Sequence, residues 1–172
     1  MSKVSQLEPK SVFHFFEEIC EIPHGSGNVE KISSYLVDFA KERNLAYFQD
    51  ELKNVVIIKE ATAGYEKEEP VILQGHMDMV AVKKPDCAKD MTKEGLDLDV
   101  DGDYLLARGT SLGGDDGIAV AYGLALLDSE SIAHPRLEVV ITVDEETGLT
   151  GAFALQPGFL SGNILLNLDS ED

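Results

Sequence analysis

The histidine and the aspartate of the segment GHMDMV, His76 and Asp78, are spaced so that they could act together. They follow the four apolar or neutral residues VILQ and a glycine, a run whose length is typical of a buried strand. Side chains at positions i and i+2 of an extended chain project to the same side. We therefore expect both side chains to project together where the strand ends, which is where sites in α/β sheets are usually built. Taken alone, the pair is also compatible with an ordinary loop.

Acidic residues stand beside the other apolar segments in the same way. The strand-like run LEVVITV is followed by Asp144, Glu145 and Glu146, and the run ILLNL by Asp169. Asp115 and Asp116 precede an apolar, helix-like segment, where either could also be a helix cap. Carboxylates gathered at one sheet edge repel each other, and a divalent cation relieves that repulsion. Carboxylates with a histidine suit zinc, cobalt or manganese, so the pattern favours a metal site over separate solvated loop ends.

Other catalytic schemes fit the sequence poorly. It contains no HExxH motif, Walker-type loop or GxSxG nucleophile elbow. The run DLDVDG from Asp97 resembles the start of an EF-hand loop, but Arg108 stands where that loop needs a bidentate glutamate. Apolar and polar residues alternate there around an Asp-Gly pair, which predicts a β-hairpin instead. Paired carboxylates could serve glycoside hydrolysis, but that chemistry gives no role to His76 and Asp78.

Length and composition limit the class of protein. A chain of 172 residues with 44% hydrophobic residues indicates one globular domain. Its net charge of −18 repels phosphate backbones, so we expect no nucleic-acid partner. Cys20 and Cys87 are too few for a disulfide framework. The N-terminus lacks a signal-peptide core and no apolar run approaches the roughly 20 residues of a membrane span, so we expect no membrane contact and a cytoplasmic location.

The elements that must position these residues alternate between helices and strands. Two amphipathic helices come first, and strands, a hairpin, an apolar helix, a strand, a short helix and a last strand follow. This order predicts an α/β fold with a mixed, largely parallel sheet flanked by helices. The loop HGSGN after the first helix has two glycines but lacks the third glycine and the preceding strand of a phosphate-binding loop. We assign no site to it.

Four segments carry a specific resemblance to a known family. GHMDMV, RGTSLGGDDG, DEETG and NLDSED, in this order, resemble the N-terminal half of bacterial aminoacyl-histidine dipeptidases. That family is a branch of the dinuclear metallopeptidases, which also include aminoacylases and glutamate-type carboxypeptidases. The resemblance extends over nearly all of residues 1–172. It implies the first segment of a zinc exopeptidase-like catalytic domain, with the lid or dimerisation domain and the C-terminal catalytic segment absent.

The resemblance implies two divalent metal ions, most simply zinc, with cobalt or manganese as alternatives. His76 and Asp169 match ligands of one metal. Asp115 matches the carboxylate that bridges both metals, and Glu146 matches a ligand of the other.

The resemblance also implies two catalytic residues that are not ligands. Glu145 matches the general base that takes a proton from water and returns it to the leaving amine. Asp78 matches the carboxylate that orients His76. The family further implies a cis peptide bond between Asp115 and Asp116. Close relatives often carry Asn at position 116, which leaves the choice between the two aspartates open.

The implied substrate is a small peptide, an Xaa-His dipeptide, and the implied full-length protein is a homodimer. The family needs a further histidine ligand and a site for the substrate carboxylate, and His14, His24 and His134 do not stand in a suitable context. We therefore expect the 172 residues alone to be inactive. The alternatives are a related amidohydrolase that acts on N-acyl amino acids or larger peptides, and a non-catalytic metal-binding module.

Overall fold

A five-stranded mixed sheet forms the centre of the fold. The computed structural model describes residues 3–169 of the chain. The strands are β1 (Ala46–Gln49), β2 (Val55–Lys59), β3 (Val71–His76), β4 (Leu98–Asp101), β5 (Tyr104–Ala107), β6 (Leu137–Thr142) and β7 (Ile164–Asn167). The helices are α1 (Lys10–Glu21), α2 (Glu30–Glu42), α3 (Gly114–Asp128) and α4 (Thr150–Ala154). None of these helices is long and apolar enough to cross a membrane.

The strand order of the sheet is β1-β2-β6-β3-β7. β2 runs antiparallel to β1 and β6, whereas β3 runs parallel to β6 and β7. The predicted mixed α/β class is confirmed. Parallel pairing is confined to β6, β3 and β7, and predicted site residues follow each of these three strands. Because parallel strands end at the same edge, the residues after β3, β6 and β7 meet there.

Helices cover one face of the sheet with the main core. Val12, Phe16 and Ile19 of α1 are buried at helical spacing, and α3 is apolar over most of its circumference. Every residue of β6 is buried, as expected for a strand that is covered on both faces, and all but Glu138 and Thr142 are apolar. A smaller cluster on the other face joins Val56 and its neighbours to residues near α4.

The predicted hairpin is confirmed as the antiparallel pair β4 and β5, which forms a separate two-stranded sheet. Gly102 lies in its turn with φ +58°, a conformation that glycine adopts without strain. Asp99, one of the acids of the EF-hand-like run, instead accepts hydrogen bonds from Lys3 at 2.8 Å and Arg108 at 2.7 Å. Surface ion pairs therefore account for this aspartate.

Glu138 of β6 is a fully buried acid that holds the turn before β7. It accepts hydrogen bonds from the Ser161 hydroxyl at 2.6 Å and from the backbone N–H of Gly162 at 3.1 Å, and it pairs with Arg136 Nε at 2.9 Å. Burial alone would raise the pKa of Glu138, but these donors outweigh it and lower the pKa.

We expect Glu138→Gln to lower the free energy of unfolding by about 1–3 kcal/mol at pH 7, because the donors lose a charged acceptor. A pKa lowered by folding stabilises the fold above the unfolded pKa, near 4.3, and this stabilisation is lost as the pH falls through the folded pKa. Urea unfolding at pH 7 and between pH 3 and 5 measures both effects, and the difference between the proteins should shrink in acid. Glu60→Gln, at the exposed partner of Arg136, is the control and should change little. Equal stability of both variants at pH 7 would contradict the role of Glu138.

Candidate metal centre

His76 ends β3 and is almost completely buried, with 1% of its surface exposed. Its Nδ1 lies 2.9 Å from the backbone oxygen of Asp78 and 3.4 Å from the Asp78 carboxylate. Its Nε2 lies 3.0 Å from Asp115 and 3.8 Å from Glu145. Burial disfavours the imidazolium, but the hydrogen bond and charge of Asp78, together with the other acids, raise the pKa of His76 to about 9.

The two aspartates at the start of α3 face different surroundings. Asp115 turns its carboxylate towards His76 Nε2 and keeps 59% of its side chain exposed. Asp116 is buried and accepts the backbone N–H of His76 at 3.2 Å. Burial, with Asp169 and Asp115 nearby, raises the pKa of Asp116 to about 7 against the opposing charge of His76. The peptide bond between the two aspartates is cis, as the resemblance implies.

Gly75 is required by this arrangement. A Cβ at position 75 would lie 2.6 Å from the Asp116 carboxylate and 2.9 Å from the Cβ of Ala119. Only glycine lets β3 approach α3 this closely, and the approach is what brings His76 and Asp115 together.

The two predicted glutamates lie in the loop of residues 143–149 between β6 and α4, which we call the glutamate loop. Asp144 has φ +51°, and this left-handed residue starts the turn that carries Glu145 and Glu146. The pKa of each glutamate is raised, first by burial and then by the neighbouring acids, against the opposing charge of His76.

Asn54 closes the base of this loop. Its fully buried side chain accepts the backbone N–H of Val143 at 2.9 Å and donates to the carbonyl of Gly151 at 2.9 Å. The backbone N–H of Gly151 in turn donates to the carbonyl of Val143 at 3.1 Å. These hydrogen bonds fix the loop at both ends. The positions of its glutamates are therefore fixed relative to β6.

The predicted site residues converge on His76. Two sets of three potential ligand atoms each lie within 4.8 Å of one another: His76 with Asp115 and Glu146, and His76 with Glu145 and Asp169. Four carboxylates around a buried histidine form a donor set that fits a divalent cation, which relieves the repulsion among them. Asp78 contacts Nδ1 of His76, the ring nitrogen that does not face Asp115.

The remaining histidines lie outside both sets. His14 is exposed on α1. His24 and His134 are buried in loops, and the Nδ1 of each lies within 2.7 Å of a backbone carbonyl oxygen.

Sequence reasoning missed Ser26 and Asn54. Ser26 donates a hydrogen bond to Asp78, and Asn54 holds the glutamate loop. The small residues of HGSGN were the one signal for Ser26, and no local signal marks Asn54.

Comparison with known proteins finds close relatives among peptidases. The chain is 45% identical over 172 residues to the cytosol non-specific dipeptidase of Escherichia coli, and it spans 36% of that protein. It superposes on an aminoacylhistidine dipeptidase from Vibrio alginolyticus with a TM-score of 0.96 and 44% identity, which covers 99% of this chain and 35% of that one. A tripeptidase from Staphylococcus aureus superposes with a TM-score of 0.78 and 26% identity over 95% of this chain and 44% of that one. No protein-family model matches the chain.

These comparisons confirm the resemblance that the four motifs indicated. The similarity to the first two proteins extends over essentially all of this chain, in sequence and in fold. The chain spans about a third of the length of these relatives.

Proposed function

We propose that these residues form the metal-binding part of a peptidase that hydrolyses dipeptides, with Xaa-His dipeptides as the substrate class. The observation that carries the proposal is the convergence of His76 with carboxylates that follow β6 and β7 and begin α3. The relatives named as a non-specific dipeptidase and an aminoacylhistidine dipeptidase support the reaction and the substrate class.

The proposed ligands serve two divalent ions, with zinc as the first choice. His76 and Asp169 would hold one ion, Glu146 the other, and Asp115 would bridge them. His76 Nε2 lies 3.0 Å from the carboxylate of Asp115, whose side chain is exposed, whereas Asp116 is buried. Both observations favour Asp115 over Asp116 as the bridging ligand.

Divalent ions bound in such a site lower the pKa of water and polarise the carbonyl of the scissile bond. Glu145 would take the proton of the attacking water and pass it to the leaving amine. Its carboxylate lies 3.8 Å from His76 Nε2, beside the proposed ligands. Asp78 would keep the imidazole of His76 oriented through Nδ1.

The proposal extends to the whole protein in three respects. A homodimer is proposed on the resemblance alone, and a cytoplasmic location is supported by the name of the E. coli relative. A further histidine ligand would be supplied by a longer chain that contains these residues.

The similarity to a tripeptidase favours one alternative, a peptidase for longer peptides. A panel of di- and tripeptides separates this alternative from a dipeptidase.

Zinc titration of the 172-residue chain by calorimetry tests the centre. We expect His76→Ala to weaken zinc binding by more than the roughly 10–100-fold that the loss of a residue supporting a ligand causes. His14→Ala is the matched control, because His14 is 62% exposed on α1, and it should bind zinc like the unchanged chain. Equal affinity of both variants would refute the proposed centre.

A further inference from the structure

The loop of residues 24–28 runs beside the residues that follow β3. Gly25 and Met79 form a parallel β-bridge. The backbone N–H of Met79 donates to the carbonyl of His24 at 3.2 Å, and the backbone N–H of Ser26 donates to the carbonyl of Met79 at 3.2 Å. The backbone of the loop is therefore paired with the segment that follows β3.

The carboxylate of Asp78 is held at both oxygens. Its side chain is fully buried, and its Oδ1 accepts the backbone N–H of Glu145 at 3.1 Å and lies 3.4 Å from His76 Nδ1. Its Oδ2 accepts a hydrogen bond from the hydroxyl of Ser26 at 2.7 Å. A buried carboxylate that loses a donor is destabilised as an anion.

The same loop also contacts the turn that carries the glutamates. The backbone N–H of Gly27 donates to the carboxylate of Asp144 at 2.7 Å. Asp144 is the left-handed residue directly before Glu145. Ser26 and Gly27 therefore connect Asp78, which contacts His76, to Asp144, which directly precedes Glu145.

We propose that Ser26 is a positioning residue of the metal centre. Its hydroxyl holds Oδ2 of Asp78, and the position of Asp78 determines the orientation of the imidazole of His76, whose Nδ1 lies 2.9 Å from the backbone oxygen and 3.4 Å from the carboxylate of that residue. This inference rests on the proposed function, because it concerns the same ions. Loss of a residue that supports a metal ligand lowers metal affinity by about 10–100-fold, and the effect of Ser26 is expected in that range.

Ser26→Val and Ser26→Thr separate the hydroxyl from the shape of the side chain, because valine and threonine have nearly the same volume. Zinc affinity of each variant is measured by calorimetry, and the imidazole nitrogens of His76 are observed by NMR in the metal-free chain. Ser26→Thr should keep the affinity and the His76 signals of the unchanged chain. Ser26→Val should bind zinc about 10–100-fold more weakly and shift the Nδ1 signal.

Thermal unfolding in the presence of a chelator checks that both variants fold, and Ser26→Ala replaces the pair if the branched side chains do not fit. Equal affinities and unchanged His76 signals in the valine and threonine variants, while His76→Ala still loses zinc, would overturn the role of Ser26 and leave the centre intact. Full zinc binding by His76→Ala would refute the centre itself, and with it the role of Ser26.

Discussion

Glu145→Gln is expected to lower kcat for dipeptide hydrolysis by about 10²–10⁴-fold, the range that a general acid–base residue contributes. Glutamine keeps the shape of the side chain but cannot take a proton from water. KM and zinc stoichiometry should stay near their original values, because Glu145 is not among the proposed ligands. Steady-state kinetics and metal analysis of a full-length protein that contains these residues measure all three quantities.

The control for this prediction is Glu130→Gln, the same chemical change at an exposed position after α3. It should leave turnover unchanged. Turnover of Glu145→Gln at the level of this control would reject Glu145 as the base. Loss of zinc from Glu145→Gln would instead identify Glu145 as a ligand, since its carboxylate lies within 4.8 Å of potential ligand atoms of His76 and Asp169.

Gly151→Ala is expected to lower the free energy of unfolding by about 3 kcal/mol or more. A Cβ at this position would overlap the carbonyl oxygen of Val143 and lie 2.5 Å from Oδ1 of Asn54. Neither atom can move freely, since both take part in the hydrogen bonds that close the glutamate loop. Overpacking typically costs about 1–3 kcal/mol, and each weakened hydrogen bond adds about 1 kcal/mol.

Urea unfolding measures this loss, and zinc calorimetry should show weaker binding because the loop carries Glu146. Gly158→Ala is the matched control: a Cβ there meets nothing within 4 Å, and the free energy of unfolding should change by no more than about 0.5 kcal/mol. The same unfolding midpoint for both variants would show that the loop closes without the contact at Gly151.

The elements of the fold could be predicted because their signals are local. The apolar run before His76 ends as a strand at His76 itself, and the Asp-Gly pair marks the turn between β4 and β5. The meeting of His76 with residues after β6 and β7 was also predictable, since parallel strands end at one edge.

The supporting residues could not be predicted, for a physical reason. Ser26 and Asn54 bond to groups far away in the sequence, at Asp78 and Gly151. A serine or an asparagine in a loop has many local hydrogen-bonding partners, so its type and its neighbours do not indicate which one it takes. The difference between Asp115 and Asp116 likewise depends on how closely β3 approaches α3, which no local pattern encodes.

β7 lies at the edge of the sheet, and its four residues are exposed. Strands with few buried contacts are the first to open in the native state, at a small fraction of the global free energy of unfolding. Because Asp169 follows β7, opening of this strand would separate the Asp169 carboxylate from His76, with which it is proposed to hold one ion. An ion that binds only the closed form lowers the open population by mass action. In the proposed centre, metal affinity and the closing equilibrium of this one strand are therefore thermodynamically linked.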